Sequence, residues 1–306
     1  MINSSGPQSG SGDQFPPFLP LGRLPAIVAE AQSNLQRYLD EQEAQMRWSS
    51  PPVTLFEHSL RVARLAHRLA LEIPDAIPED AYIAGLFHDA GKFQDGAYHH
   101  DDTPEEERAA EVARRLLREG GATAAAAERI TTALLDLYRE EAEPGLLTQI
   151  VHDADNLDKL GFPGVANYMI KSGLRGRGLG LDLLLRSSIE LTYARYATET
   201  MWTDAAQAIA APRARRTLDF FRELLGALRE DGLYNAYLTD LHYDDIVILA
   251  VTIDRCACGG EISRTVTSEK SIKCMEIRVE QRCSACDWRH KMRFCCPKMR
   301  RRKLAK

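Results

Sequence analysis

The chain has 306 residues, of which 44% are hydrophobic and 27% are charged, and its formal net charge is -5. The composition is that of an ordinary globular protein, and the net charge is too small to indicate binding of polyanions over the whole surface. No apolar run approaches the roughly 20 residues needed to cross a bilayer, and the N-terminus lacks the basic-then-apolar order of a secretory signal. We therefore expect a cytoplasmic protein with no membrane partner.

The chain divides into four predicted segments. Residues 1–22 are rich in Ser, Gly, Pro and Gln and are predicted to be flexible. A helical pattern runs from about Leu24 to Leu249, with Pro and Gly spaced like helix ends, so residues 23–250 are predicted to form a helical domain. After Ile253 a two-residue period predicts short strands in a small module over residues 251–297, followed by a basic tail over 298–306. The expected fold class is mainly α, a helical bundle followed by a small β module.

The first candidate site residue is His58, in the predicted helix LFEHSLRVARLAHRLALEI. At about 100° per residue His58 shares a face with Val62 and Leu69, and so points inward. A lone inward histidine is more often hydrogen-bonded within a core than bound to a metal. Other residues must decide between these interpretations.

His88 and Asp89 end the apolar stretch AYIAGLF. An imidazole and a carboxylate beside a buried segment are costly to desolvate unless they are paired or bound to a metal. Gly91 permits close approach of the chain, and Lys92 can contact a phosphate.

A third helix is predicted in LLTQIVHDADNLDKLG, which carries Asp153, Asp155 and Asp158. Carboxylates near an inward face repel one another unless a cation or a basic partner is present. The helical period does not choose among them, because Asp153 and Asp155 lie about 100° to either side of the apolar centre and Asp158 lies nearer to it.

These residues together resemble the HD superfamily of metal-dependent phosphohydrolases, in which a His on one helix, a His-Asp pair and a later Asp hold a metal. The resemblance runs from about Val53 to Gly232, and is greatest to a branch with a DAD-x-LD-x-x-G segment like Asp153 to Gly161. It implies an HD-type helical bundle. The four metal ligands that it implies are His58, His88, Asp89 and Asp155.

The resemblance implies hydrolysis of a phosphate ester or anhydride, of a nucleotide or another phosphorylated small molecule. Two imidazoles and two carboxylates suit a divalent cation such as Mn, Mg, Fe, Co or Ni, which activates a water for attack on phosphorus. Asp89 is therefore expected to act in catalysis. Lys92 and Arg61 are predicted to assist catalysis and bind substrate, with a partner of the acidic cluster as the alternative for Arg61. Asp158 is predicted to orient the ligands or the substrate.

Two features depart from the pattern of relatives. Several relatives place a catalytic glutamate three residues after the HD aspartate, where this chain has Lys92. Binuclear relatives add histidines in the middle of the domain, whereas the predicted helices over 106–119 and 125–139 contain none. His99 and His100 lie in a polar loop nearby, and one metal ion is favoured.

All seven cysteines fall in the last fifth of the chain, which in a cytosolic protein favours metal binding over disulfides. Cys256 and Cys258, followed by Cys283 and Cys286, form two close pairs that resemble a zinc ribbon with a structural zinc ion. The first pair has one intervening residue where a ribbon knuckle usually has two, so Cys295, Cys296 and Cys274 stay alternative ligands. Free buried cysteines are the interpretation without a metal.

The chain from Arg289 onward carries nine basic residues and no acidic side chain. Such a tail can contact a nucleic acid, and is also often only solvated. Two alternative functions therefore stand beside hydrolysis. One is a nucleic-acid-binding or regulatory HD protein that uses the ribbon and the tail, and the other is an HD-type di-iron oxygenase, which needs further histidines.

Overall fold

The computed structural model describes residues 25–45, 55–94, 97–98, 103–137, 143–244, 246–270 and 275–295. The segment predicted to be flexible (1–22) and the predicted basic tail (298–306) lie outside these ranges. So do His99, His100, Cys274 and Cys296, and the side chain of Cys295 is likewise not described.

Helices make up most of the described chain, which confirms the expectation of a mainly α protein. They are α1 (Ala26–Gln45), α2 (Leu55–Glu72), α3 (Pro78–Phe87), α4 (Glu105–Glu119), α5 (Ala124–Leu135), α6 (Leu146–Asp158), α7 (Gly161–Leu174), α8 (Leu181–Arg186), α9 (Ser188–Thr200) and α10 (Asp204–Glu230). None of the helices in the described part of the chain is both long enough and apolar enough to cross a membrane.

The helices pack around α2 and α3. Every residue of α3 from Asp80 to Phe87 is buried, as expected for a helix that is apolar nearly all round. Helix α2 buries two sides: Leu60 and Ala63 join a cluster with α1, α3, α4 and α5, while Val62 and Ala66 join a second cluster with α6, α9 and α10. The core therefore lies on both sides of the helix that carries His58.

The strands are antiparallel throughout the described residues. They are β1 (Phe93–Gln94), β2 (Ala97–Tyr98), β3 (Ala236–Tyr243), β4 (Ile246–Ile253), β5 (Ile262–Lys270), β6 (Met275–Cys283) and β7 (Arg289–Cys295). The helical pattern predicted to continue to Leu249 is wrong beyond α10, because β3 and β4 form a hairpin there. The run IVILAVTI of β4 is rich in β-branched residues, which favour strands, but it is apolar without interruption and so shows no two-residue period.

The C-terminal module is a three-stranded sheet in the order β5-β6-β7. Ile277, Val279 and Met292 are buried between exposed neighbours, which confirms the small β module and the alternation predicted for it. The sheet of three strands buries little apolar area by itself, so its packing against the rest of the chain matters.

The β3–β4 hairpin joins this module to the helices. Ile248 of β4 packs with Ile277 of the sheet, while Val251 of the same strand packs with Phe221 of α10. The side-chain amide of Gln281 donates a buried hydrogen bond of 3.0 Å to the carbonyl oxygen of Val251. The predicted domain boundary between residues 250 and 251 falls inside β4, and the domain limits stay a prediction.

Candidate metal centre

His58 lies in the first turn of α2 and faces two other helices. Its Nδ1 donates to Oδ2 of Asp158 at 2.9 Å. Its Nε2 lies 3.2 Å from Oδ2 of Asp89 and 3.6 Å from Oδ1 of Asp155. Since Nδ1 holds the proton, the lone pair of Nε2 points to the two carboxylates.

His88 has the same arrangement at the end of α3. Its Nδ1 donates to the carbonyl oxygen of Gly85 at 2.8 Å, which can only accept. Its Nε2 lies 3.4 Å from Oδ1 of Asp89 and 3.8 Å from Oδ1 of Asp155, and it is buried without a hydrogen-bond donor. Burial lowers the pKa of His88, so the ring is neutral and offers a lone pair.

These atoms form a site that fits a cation. His58, His88 and Asp155 each place one ligand atom so that the three lie within 4.8 Å of one another, and Asp89 contacts both imidazoles. Two imidazole lone pairs facing two buried carboxylates repel in the absence of a positive charge between them. A divalent cation with a preference for nitrogen and oxygen ligands removes that repulsion.

The carboxylates of the centre are held in their ionised form. Burial by itself would raise the pKa of Asp89, but the charges of His88 and Lys92 and the hydrogen bond with His58 hold it well below its usual range. The pKa of Asp155 is likewise lowered against its burial, chiefly by Lys159. Both aspartates are therefore ready to act as ligands at neutral pH.

The structure separates the three aspartates that the helical period left open. Asp155 lies in the centre, and Asp158 lies behind His58 as the acceptor of its proton. Asp153 faces away and accepts hydrogen bonds of 2.9 Å and 2.8 Å from the backbone amides of Trp202 and Thr203 at the start of α10. Asp153 thus anchors the α9–α10 turn.

Lys92 and Arg61, the two predicted phosphate contacts, lie in different surroundings. Lys92 lines a cleft beside the centre, where its Nζ contacts Asp89 and lies 3.8 Å from Oε1 of Glu105. Arg61 is held in a two-pronged pair with Asp158, at 2.8 Å and 3.1 Å, and is not among the described residues that line the cleft. This placement favours the alternative for Arg61, a partner of the acidic cluster.

The cleft has a volume of about 400 Å³ and extends past the centre along α7, α8 and α9. Its lining adds residues that the sequence analysis did not select, namely Glu105, Lys159, Tyr168, Lys171, Arg175, Arg177, Arg186 and Glu190. One signal was available for part of this set, since residues 171–177 carry three basic side chains and no acidic one. Their convergence on the centre depends on how α7 packs.

The second cluster is formed by the predicted cysteines. The Sγ atoms of Cys256, Cys258, Cys283 and Cys286 lie within 4.8 Å of one another, and the four residues form a zinc-ribbon-like module. Sγ of Cys256 lies 3.6 Å from that of Cys286, and Sγ of Cys258 lies 3.4 Å from that of Cys283. These distances exceed the roughly 2.05 Å of a disulfide and approach the roughly 3.8 Å between thiolates around tetrahedral zinc.

Two glycines explain how the shorter first knuckle closes. Gly259 has a φ of 87°, which favours glycine, and a Cβ on Gly260 would lie 2.6 Å from Sγ of Cys283. The amide of Cys256 donates to the carbonyl oxygen of Gly260 at 2.9 Å. In the second knuckle the amide of Ala285 donates to Sγ of Cys283 at 3.3 Å and lowers the pKa of that thiol.

Comparison with known proteins agrees with this geometry. Residues 55–160 match the family model of the HD domain, and the match contains all four predicted ligands of the first cluster. The helical part of the chain therefore carries an HD domain, followed by the zinc-ribbon-like module.

Solved structures share the fold of this helical part. The crystal structure of Bacillus subtilis YpgQ is 21% identical, covers 66% of this chain and 95% of its own, and has a TM-score of 0.51. The same protein in complex with ADP is 20% identical over 65% of this chain and 96% of its own, with a TM-score of 0.47. A predicted HD superfamily hydrolase from an uncultured Thermotogales bacterium is 21% identical over 65% and 91%, with a TM-score of 0.46. No curated protein matches the chain.

Proposed function

We propose that the protein is a metal-dependent phosphohydrolase that cleaves a phosphate ester or anhydride, with a nucleotide as its substrate. The observation that carries this proposal is the pair of imidazoles that aim unprotonated Nε2 atoms at two buried carboxylates on the wall of a cation-lined cleft. The proposed metal ligands are His58, His88, Asp89 and Asp155. A divalent cation bound there lowers the pKa of a water and offsets charge on the phosphoryl oxygens.

The chain's own residues supply binding and orientation. Asp158 and the carbonyl of Gly85 hold the two imidazoles in the tautomer that a metal requires, as outer partners of ligating histidines commonly do. Lys92 provides a positive charge at the wall of the cleft for a phosphoryl oxygen. Tyr168 and Ile189 give the same cleft an apolar part that suits the base or sugar of a nucleotide.

Phosphate release tests this proposal. The full chain would be stripped of metal, reloaded with Mn, Mg, Fe, Co or Ni in turn, and incubated with a panel of nucleotides and phosphomonoesters. We expect release that depends on the cation and is lost in Asp89→Ala, which also binds less metal. Asp219→Ala, which removes an exposed carboxylate on α10, is the matched control and should retain activity.

Two outcomes would contradict the proposal. One is a protein that binds the cation at this site yet releases no phosphate from any member of the panel. The other is consumption of oxygen by an iron-loaded protein, which would indicate the di-iron oxygenase instead.

We further propose that the four-cysteine cluster holds a structural zinc ion. Four thiolates leave no open position for a substrate, so this ion would stabilise the module and take no part in hydrolysis. Metal analysis of the full chain should find zinc that is lost in Cys258→Ser and kept in Asp89→Ala.

A further inference from the structure

The cleft continues beyond the metal centre along one wall of helices. Lys171 and Arg175 of α7, Arg177 of the following loop and Arg186 of α8 all line it. A cleft of about 400 Å³ is larger than a single phosphoryl group requires and lies within the usual range for small-molecule sites. The far wall therefore has room to contact another part of the substrate.

Most of the basic residues in the cleft already have carboxylate partners. Lys92 contacts Asp89, and Nζ of Lys159 donates to Oδ2 of Asp155 at 2.6 Å. Arg177 and Arg186 share Asp182, at 3.1 Å and 3.2 Å.

Lys171 and Arg175 differ from these four. Neither side chain has a carboxylate oxygen within 4.0 Å among the described residues. They are four residues apart on α7 and thus neighbours on one helical face, where two like charges destabilise the helix. A pair of cations that repel each other at the rim of a cleft indicates a place for an anion.

The electrostatics of the cleft agree with this geometry. The pKa of Lys171 is lowered by partial burial and by the positive charges of Lys92 and Lys159. The three ammonium groups are therefore close enough to influence one another across the cleft. An anion between them would relieve this repulsion.

One acidic side chain opposes such an anion. Glu190 of α9 lines the same cleft near Lys159 and Lys171, and burial raises its pKa. It makes no ion pair within 4.0 Å among the described residues. When ionised, its charge works against anion binding at Lys171, so removal of that charge provides a test of opposite sign.

We propose that Lys171 and Arg175 bind a second phosphate group of the substrate, beyond the one placed at the metal centre. This inference rests on the proposed function and narrows its substrate class to compounds with at least two phosphate groups, such as diphosphates and triphosphates. A simple phosphomonoester would occupy only the metal end of the cleft.

Two probes that cannot be hydrolysed separate the subsite from the metal centre. Methylenediphosphonate presents two phosphonate groups and methylphosphonate presents one. Calorimetric titration of each into the cation-loaded full chain would compare wild type with Lys171→Ala/Arg175→Ala. Arg114→Ala/Arg118→Ala is the matched control, because it also removes two basic residues four apart on one helix, α4, away from the cleft.

We expect the Lys171→Ala/Arg175→Ala variant to bind the diphosphonate about tenfold or more weakly, since each lost contact is a charge-assisted hydrogen bond. Its affinity for methylphosphonate should stay within about twofold, and the control should match wild type for both probes. Glu190→Gln should bind the diphosphonate more tightly than wild type does. An equal loss for both probes, or no loss for either, would overturn the proposal.

The outcomes also distinguish this inference from the proposed function. Discrimination between the probes without phosphate release from any substrate would leave the subsite in place and refute the hydrolase. Phosphate release without any difference between wild type and Lys171→Ala/Arg175→Ala would support the hydrolase and refute the subsite.

Discussion

Asp158 controls the orientation of His58 through a single buried carboxylate. One of its oxygens accepts the Nδ1 proton of His58, and both oxygens accept hydrogen bonds from Arg61. Burial would raise the pKa of Asp158, but its hydrogen bonds to His58 and Arg61 lower it. The ionised side chain can only accept, and this fixes the tautomer in which Nε2 of His58 has a free lone pair.

We predict that Asp158→Asn weakens binding of the cation at the first cluster by about 10-fold to 100-fold, as loss of outer partners of metal ligands commonly does. The amide cannot hold both His58 and the guanidinium of Arg61, so the imidazole loses its orientation. Titration of the metal-free protein with Mn²⁺ would measure the change. Asp240→Asn, which breaks an exposed arginine pair with Arg195, is the control, and equal affinities in the two variants would refute the argument.

At the scale of elements, one glycine sets the distance between the end of α3 and helix α4. Gly91 lies in the short 3-10 turn after the His-Asp pair, and a Cβ there would overlap the carbonyl oxygen of Glu105 and lie 2.7 Å from the amide nitrogen of Ala109. Both atoms belong to helix backbone and cannot rotate aside. The close approach that the sequence predicted for Gly91 is therefore made with the first turn of α4.

We predict that Gly91→Ala lowers the free energy of unfolding by about 1–3 kcal/mol, the usual cost of an added methyl group without space. It should also weaken metal binding, because Asp89 lies two residues earlier. Gly173→Ala is the matched control: its Cβ would meet nothing within 4 Å, and in a helix alanine gains about 0.5–1 kcal/mol over glycine. Urea unfolding of both variants measures the difference, and similar changes in the two would contradict the packing argument.

At the scale of the whole molecule, the cysteine module and the metal centre are connected through shared packing. The β3–β4 hairpin buries residues against α10 and against the sheet. Nδ1 of His290 in β7 lies 3.6 Å from Oδ1 of Asp182, the carboxylate that holds Arg177 and Arg186 at the cleft. Loss of the module should therefore loosen the α8 wall before it affects the helices around α3.

We predict that Cys258→Ser destabilises the module by roughly 4 kcal/mol, the stabilisation from a ligand present at about 1,000 times its Kd. Hydrogen exchange should become faster in β5–β7 and then in β3, β4 and α8, with little change in α2 and α3. Ser284→Ala, an exposed residue of the second knuckle, is the control. Uniform acceleration over the whole chain would show instead that the module and the helical domain unfold together.

Much of this protein could be predicted from local patterns. The periods of 3.6 and 2 distinguished the helices from the strands of the C-terminal sheet, and the inward face of His58 followed from its neighbours on α2. The hairpin over residues 236–253 was missed because a continuous apolar run is compatible with a buried helix or a buried strand. Only the pairing of Ala236 with Ile253 along the hairpin settles that ambiguity.

Sequence by itself determined the residue types of both clusters, the fold class and the family resemblance, because these depend on spacing along one helix, strand or knuckle. Tertiary structure decided the separate positions of Asp153, Asp155 and Asp158, the partner of Arg61, and the meeting of Lys171 and Arg175 with the metal cleft. The physical reason is that a side chain's direction relative to its own helix follows from rotation per residue, whereas its partner depends on how distant helices pack, and no local period encodes that packing.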